Sequence, residues 1–164
     1  MKYLIPWFTQ GLCNKFGNIS AKGISKVKPS VDDFNRLFLY LHRHEIYKNK
    51  VWVLVDGDTD GKAVIGKFRE SSYCKENGWD EEQFKYFAKD DFELYYPERF
   101  QSVVTSVLAL PNGNEKREKK KALLTEVEGW IKQNNELAKV EFDKSAKEIV
   151  DILKSIDEKV NGKN

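Results

Sequence analysis

The chain has 164 residues, of which 40% are hydrophobic and 33% charged, and its formal net charge is only +2. This is enough apolar material for one domain with a sizeable core, and the charge balance favours neither nucleic acid nor small anions as a partner. No apolar stretch approaches the ~18 residues that cross a bilayer, which excludes a membrane-spanning helix. Cys13 and Cys74 form no CxxC pair, a pattern typical of a reduced, intracellular protein. We therefore expect a cytoplasmic protein without a membrane partner.

The first fifty residues predict two helices with a weak strand between them. Residues 3–14 favour a short helix, and residues 16–20 favour the strand. The second helix is predicted to open at Pro29, with Ser30 as its N-cap and Asp33 in the capping-box position.

The middle of the chain alternates between strands and helices. The apolar run Val51–Val55 predicts a strand buried on both faces, as in a parallel sheet covered by helices. A helix is expected over about residues 61–71, polar turn-like chain over 73–83, and a second strand over 84–87.

After Pro97 the sequence predicts helices only. Residues 98–109 look helical, and Pro111 to Asn114 is a clear break. The two helices that follow have apolar residues at helical spacing: Leu123, Val127, Trp130, Ile131 and Leu137 on the first, and Ala146, Ile149, Val150, Leu153, Ile156 and Val160 on the second. The predicted class is α/β, with a mainly parallel sheet flanked by helices and an all-helical C-terminal part.

Three carboxylates follow the predicted strand at alternate positions, Asp56, Asp58 and Asp60. Carboxylates that converge at the end of a buried strand are typical of a site for a hard divalent cation. The segment also matches the opening of a calcium-binding EF-hand loop. That loop needs a preceding helix and a glutamate at its twelfth position, where this chain has a strand and Lys67.

Two further readings of the acidic turn stay open. A phosphohydrolase of the haloacid-dehalogenase type also has an Asp-x-Asp after a strand, with the first Asp as nucleophile. Asp90 and Asp91 are candidates for its later acidic pair. Alternatively, the three carboxylates are solvated turn residues, and Asp60 or Thr59 caps the following helix.

The segment from Val53 to Lys62 resembles the Asp-x-Asp motif of Toprim domains. The rest of the chain is similar to the C-terminal nuclease region of the overcoming-lysogenisation-defect (OLD) family of ATP-dependent endonucleases. In that family an acidic motif running into aromatic residues follows, and Asp91 to Pro97 resembles it, with Glu93 at the glutamate position. A later helix of the family carries a functional lysine, for which Lys144 is the candidate and Lys147 the fallback.

The resemblance implies metal-dependent hydrolysis of DNA phosphodiesters. Mg²⁺ or Mn²⁺ would be bound by Asp56 and Asp58, supported by Asp60, Asp91 and Glu93. Asp58 and Lys144 would be catalytic. An ATPase domain or subunit and a second copy of the chain are the other partners that it implies.

One part of the Toprim pattern is missing from the chain. The family's domain opens with a strand ending in a glutamate, whereas the early acids Asp32, Asp33 and Glu45 lie at predicted helix ends. We therefore expect a fragment or truncated form, with residues 1–97 as a Toprim-like α/β core that lacks the first strand. Residues 98–164 would be a helical extension of the same domain. A catalytically inactive, Toprim-like interaction domain is the alternative.

Basic residues provide candidate nucleic-acid contacts. They lie beside the acidic turn and at the start of the long helix: Lys62, Lys116, Arg117, Lys119, Lys120 and Lys121. Phosphate contacts and plain solvated surface explain the run equally well. His42 and His44 would diverge on a helix, which favours a solvated helix end over a metal pair.

Overall fold

The computed structural model describes residues 1–9, 20–21, 23–47 and 50–161. It is a mixed α/β chain whose described strands, β1 (Val53–Val55) and β2 (Phe84–Tyr86), pair in parallel. The helices are α1 (Leu4–Phe8), α2 (Ile24–Tyr40), α3 (His44–Tyr47), α4 (Thr59–Arg69), α5 (Ser71–Asn77), α6 (Gln101–Leu108), α7 (Asn114–Gln133), α8 (Asn135–Ser145) and α9 (Lys147–Asn161). Short 3-10 helices lie at Glu81–Gln83, Phe92–Tyr95 and Glu98–Phe100. Within the described ranges, no helix is both long and apolar enough to span a bilayer.

The chain divides into two compact units. One, the sheet unit, runs from Phe16 to Asp91. The other, the helical unit, combines Met1–Lys15 with Phe92–Asn164. Each unit has buried apolar residues of its own.

The core of the sheet unit lies between the strands and α4. Val53 and Val55 are buried, and so are Ile65 and Phe68 on α4. The ring of Phe68 stacks on that of Phe84, with 4.7 Å between centroids. The strands predicted over 51–55 and 84–87 and the helix between them are therefore confirmed, and α4 begins at Thr59, close to the expected position.

The helical unit is built from amphipathic helices, as the C-terminal sequence predicts. The predicted apolar residues of α7 up to Ile131 are buried, and those of α9 from Ile149 to Ile156 are at most 3% exposed. The predicted break before α7 is also confirmed, since α7 begins at Asn114.

The prediction that the second helix opens at Pro29 is wrong. It begins at Ile24, and Pro29 lies inside it. Ile24, Val27 and Val31 recur at helical spacing and pack against the sheet-unit core. Their partial burial favours the longer helix and opposes the ~3 kcal/mol that a proline costs inside a helix.

Two other expectations are corrected. The segment predicted as turn-like over 73–83 contains α5, which ends at Gly78 in the left-handed conformation that favours glycine. The long helix after residue 114 ends at Gln133, so Leu137 belongs to α8, where it is 48% exposed.

Part of the N-terminal prediction lies outside the described residues. The predicted helix over 3–14 is seen as α1, and Thr9 is already extended. Residues 10–14, and residues 16–19 of the predicted weak strand, are not among those described.

Candidate functional site

The acidic turn joins β1 to α4 in the sheet unit. Asp58 is the N-cap of α4, and its Oδ1 accepts a hydrogen bond of 2.7 Å from the N–H of Gly61. Asp58 and Asp60 are exposed, whereas Asp56 is partly buried. The prediction that Asp60 or Thr59 caps this helix is therefore wrong, since both lie inside α4 and Asp58 provides the cap. A side-chain oxygen at this position satisfies a helix N–H that would otherwise lack a partner.

Both glycines of the turn are required by close backbone contacts. A Cβ on Gly57 would lie 2.0 Å from the carbonyl oxygen of Phe87, and one on Gly61 would lie 2.0 Å from that of Asp56. No side chain fits at these distances. The spacing of the glycines in the motif thus follows from how tightly the turn packs, whatever it binds.

The segment after β2 lies beside the acidic turn. The N–H of Phe87 donates to Val55 O at 3.0 Å, and the N–H of Gly57 donates to Lys89 O at 2.9 Å. The parallel pairing therefore continues past both strands, and the chain bearing Asp90 and Asp91 leaves the sheet at the same end as the turn. The carboxyl ends of parallel strands are where α/β proteins commonly bind ligands.

Basic and aromatic groups border this end of the sheet. Lys62, in the first turn of α4, has its Nζ 3.9 Å from Asp90 and 5.9 Å from the ring centre of Tyr86. Arg69, at the end of α4, lies 5.7 Å from the centre of the same ring but donates through Nε and Nη2 to the O of Phe84, at the start of β2 and away from the acidic turn. Tyr86 was absent from the predicted sites, and Asp90 was named only for the phosphohydrolase alternative. The strand register would have indicated them, since both follow directly from the position of β2.

Glu93 lies in the helical unit, not in the sheet unit. Its carboxylate accepts from Lys120 Nζ at 3.0 Å, and the two side chains are only 16% and 27% exposed. Glu93 sits in the 3-10 helix Phe92–Tyr95, beyond the end of β2 rather than at it. In this conformation its charge is balanced by a lysine of α7.

The Lys-rich start of α7 divides into structural and exposed residues. Lys116 Nζ donates to Leu108 O at 2.8 Å, which satisfies a carbonyl at the end of α6. Lys120 forms the ion pair with Glu93. The remaining predicted contacts, Arg117, Lys119 and Lys121, are exposed. Sequence spacing alone did not separate the two groups, because the partners of Lys116 and Lys120 lie in other elements of the fold.

The two candidate lysines near the C-terminus are also in the helical unit. Lys144 is exposed in the last turn of α8. Lys147 is in α9 and lies 3.5 Å from Asp151, one turn further along the same helix.

His42 and His44 make different contacts. His44 Nε2 lies 2.7 Å from Asn77 O, and the ring packs edge-on against Trp79. His42 is exposed in the turn after α2, with a φ of 53°. The two histidine side chains therefore have different surroundings and do not act as a pair.

Burial raises the pKa of one tyrosine near Glu93. The phenol of Tyr96 is buried, and this, reinforced by the charges of Glu93 and Glu128, raises its pKa to about 12. It therefore stays protonated at neutral pH and has no role as a general base there.

The described residues contain no group of three or more His, Cys, Asp or Glu side chains arranged to hold a metal ion. Comparisons with protein families, curated proteins and solved structures each found no match for this chain.

Proposed function

We propose that the sheet unit is a Toprim-like divalent-metal site that serves the hydrolysis of DNA phosphodiesters. The observation that carries the proposal is the bond from Gly57 N–H to Lys89 O, 2.9 Å long. It holds the acidic turn against the chain that leads into Asp90 and Asp91. Acidic residues from two strand ends thus share one end of a parallel sheet, which is how carboxylates from separate elements can serve one cation.

The residues of the turn fit Mg²⁺ or Mn²⁺ in their chemistry. Both ions prefer oxygen ligands, and carboxylates are their usual protein partners. Capping α4 does not disqualify Asp58, because an ionised carboxylate has about four acceptor sites and the bond to Gly61 uses one. In the proposal Asp56 and Asp58 hold the ion, and Asp60 and Asp91 support it.

The bound ion would supply Lewis acidity and lower the pKa of a water nucleophile. The chain's own contribution is positional. The close packing of Gly57 and Gly61 fixes the backbone that carries Asp56 and Asp58. Lys62 extends from the first turn of α4, where its ammonium group is suited to contact a phosphate oxygen. Glu93 and Lys144 enter the proposal from the family resemblance alone.

A catalytically inactive interaction domain is the second candidate. It is favoured by the cap that Asp58 provides and by the absence, within the described residues, of a three-ligand group. A haloacid-dehalogenase-like phosphohydrolase is the third, with Asp56 as its nucleophile.

A cleavage assay separates the three candidates. Supercoiled and linear DNA are incubated with the protein and Mg²⁺ or Mn²⁺, in parallel with p-nitrophenyl phosphate. The variants are Asp56→Asn and, as a matched control, Asp33→Asn, whose carboxylate is 76% exposed on α2. We expect DNA cleavage by the wild type and the control, and at least about a hundredfold loss in Asp56→Asn, as for removal of a charged catalytic group.

The other outcomes decide against the nuclease. Metal binding without cleavage of any substrate supports the interaction domain. Hydrolysis of p-nitrophenyl phosphate alone, lost in Asp56→Asn, supports the phosphohydrolase. Equal DNA cleavage by the wild type and Asp56→Asn contradicts a role for the acidic turn.

A further inference from the structure

The dipeptide Asn-Gly occurs in two contrasting settings among the described residues. Asn112-Gly113 lies in the turn between α6 and α7, and Asn77-Gly78 ends α5. This dipeptide is chemically labile, because glycine leaves its backbone nitrogen unshielded and free to approach the preceding side chain. The two copies therefore allow one protein to serve as its own control.

Asn112-Gly113 is open. Both residues are exposed, and a Cβ built on Gly113 meets no atom within 4 Å. No hydrogen bond holds the Gly113 N–H to any described residue, and only the carbonyl of Gly113 is engaged, by the N–H of Arg117. The nitrogen that would attack is accessible, and the turn has room to rotate.

Asn77-Gly78 is closed. The Asn77 side chain donates to Tyr73 O at 2.9 Å and accepts from Asn35 Nδ2, so both ends of its amide are held. The N–H of Gly78 donates to Cys74 O, and Asn77 O lies 2.7 Å from His44 Nε2. Reaction here requires α5 to open first.

We propose that Asn112 is a site of spontaneous deamidation in the folded protein and that Asn77 is protected from the same reaction. The backbone nitrogen of Gly113 attacks Cγ of Asn112 and gives up its proton. A new C–N bond closes a five-membered imide, and the side-chain nitrogen leaves as ammonia. Water then opens the ring at either carbonyl, which yields aspartate or isoaspartate.

The product changes the charge at the start of α7. A carboxylate replaces a neutral amide just before the helix begins at Asn114, where a negative charge interacts favourably with the helix dipole. It also lies shortly before the exposed cations Arg117, Lys119 and Lys121, so it lowers the local positive charge. Isoaspartate in addition lengthens the backbone of the turn.

The test is a time course on the full chain at mildly alkaline pH. Samples are digested, and peptides that contain Asn77 or Asn112 are analysed by mass spectrometry and by isoaspartyl methyltransferase labelling. We expect Asn112 to convert at least about tenfold faster than Asn77 in the native protein, because Asn77 must wait for local unfolding. In urea the two rates should become comparable.

A variant isolates the chemistry at the open site. Gly113→Ala fits the open space, its φ of 168° is ordinary extended backbone, and it shields the attacking nitrogen. It should slow conversion at Asn112 and leave Asn77 unchanged. Equal native rates at the two sites would overturn the proposal, and so would a rate ratio that is the same in urea as in the native protein.

Discussion

Residues of the acidic turn have to satisfy the local fold and, in the proposal, also bind a cation. Asp58 caps α4, and Gly57 and Gly61 permit backbone contacts that no other residue allows. The motif therefore satisfies local folding requirements before any ligand is considered. The sequence offered a metal site and a helix cap as alternatives and placed the cap at Asp60 or Thr59, whereas Asp58 provides it. A carboxylate has enough acceptor sites to cap a helix and to bind a cation.

Replacing Gly57 with alanine should destabilise the protein by about 2 kcal/mol or more, since the new methyl group would overlap a backbone carbonyl that cannot rotate away. Gly66→Ala is the matched control. Gly66 is exposed within α4, and a Cβ there meets nothing within 4 Å, so alanine should stabilise the helix by about 0.5–1 kcal/mol. Urea denaturation of the two variants measures both effects. Similar midpoints would contradict the close approach of Phe87 O to the turn.

At the scale of elements, apolar periodicity predicted most of the secondary structure. The strands, α4 and α9 have clear patterns, and Pro111 marks a true break. Three details depended on information that periodicity lacks. The start of α2 is set by packing of Ile24 and Val27 on the core rather than by Pro29. α5 is mostly polar, and the break at Asn134 between α7 and α8 has no Gly or Pro to mark it.

The ion pair between Glu93 and Lys120 is a link between elements that no local pattern reveals. It joins the 3-10 helix Phe92–Tyr95 to α7, and because both groups are largely shielded, we expect it to stabilise the fold. Lys120→Met keeps the apolar stem but leaves Glu93 without this partner. It should cost about 1–2 kcal/mol, discounted for partial exposure.

Arg117→Met is the control for that variant. Arg117 is exposed on the same helix, so its removal should change stability by less than about 0.5 kcal/mol. Chemical denaturation of both variants is the measurement. Equal stability of Lys120→Met and Arg117→Met would show that the pair with Glu93 contributes nothing to the fold.

At the scale of the whole molecule, the mixed α/β class and the helical C-terminal part were predictable. The contacts that the candidate site residues make were not predictable from the sequence. Asp56, Asp58, Asp60 and Asp91 lie in the sheet unit, whereas Glu93 and Lys144 lie in the helical unit. Contacts between side chains far apart in sequence depend on tertiary packing, as the pairing of Glu93 with Lys120 illustrates.

Alkaline pH should reduce the stability of the whole molecule. Burial, together with Glu93 and Glu128, raises the pKa of Tyr96 from its usual 10.0 to about 12. Because the folded state favours the protonated phenol, this stabilisation is complete below pH 10 and is lost as the pH rises towards 12. The loss should be on the order of 2 kcal/mol. Tyr96→Phe should show a shallower decline in denaturation midpoint over this range, and an unchanged slope would count against the buried phenol.

The most direct test of the proposed site is a calorimetric titration of Mn²⁺ into the wild type and Asp58→Asn. Asparagine caps helices about as well as aspartate but lacks the charge that a cation needs. Asp58→Asn should therefore keep its stability and lose at least about tenfold in Mn²⁺ affinity, whereas the exposed control Asp33→Asn should bind like the wild type. Wild-type affinity in Asp58→Asn, or no Mn²⁺ binding by the wild type, would contradict a metal site at the acidic turn.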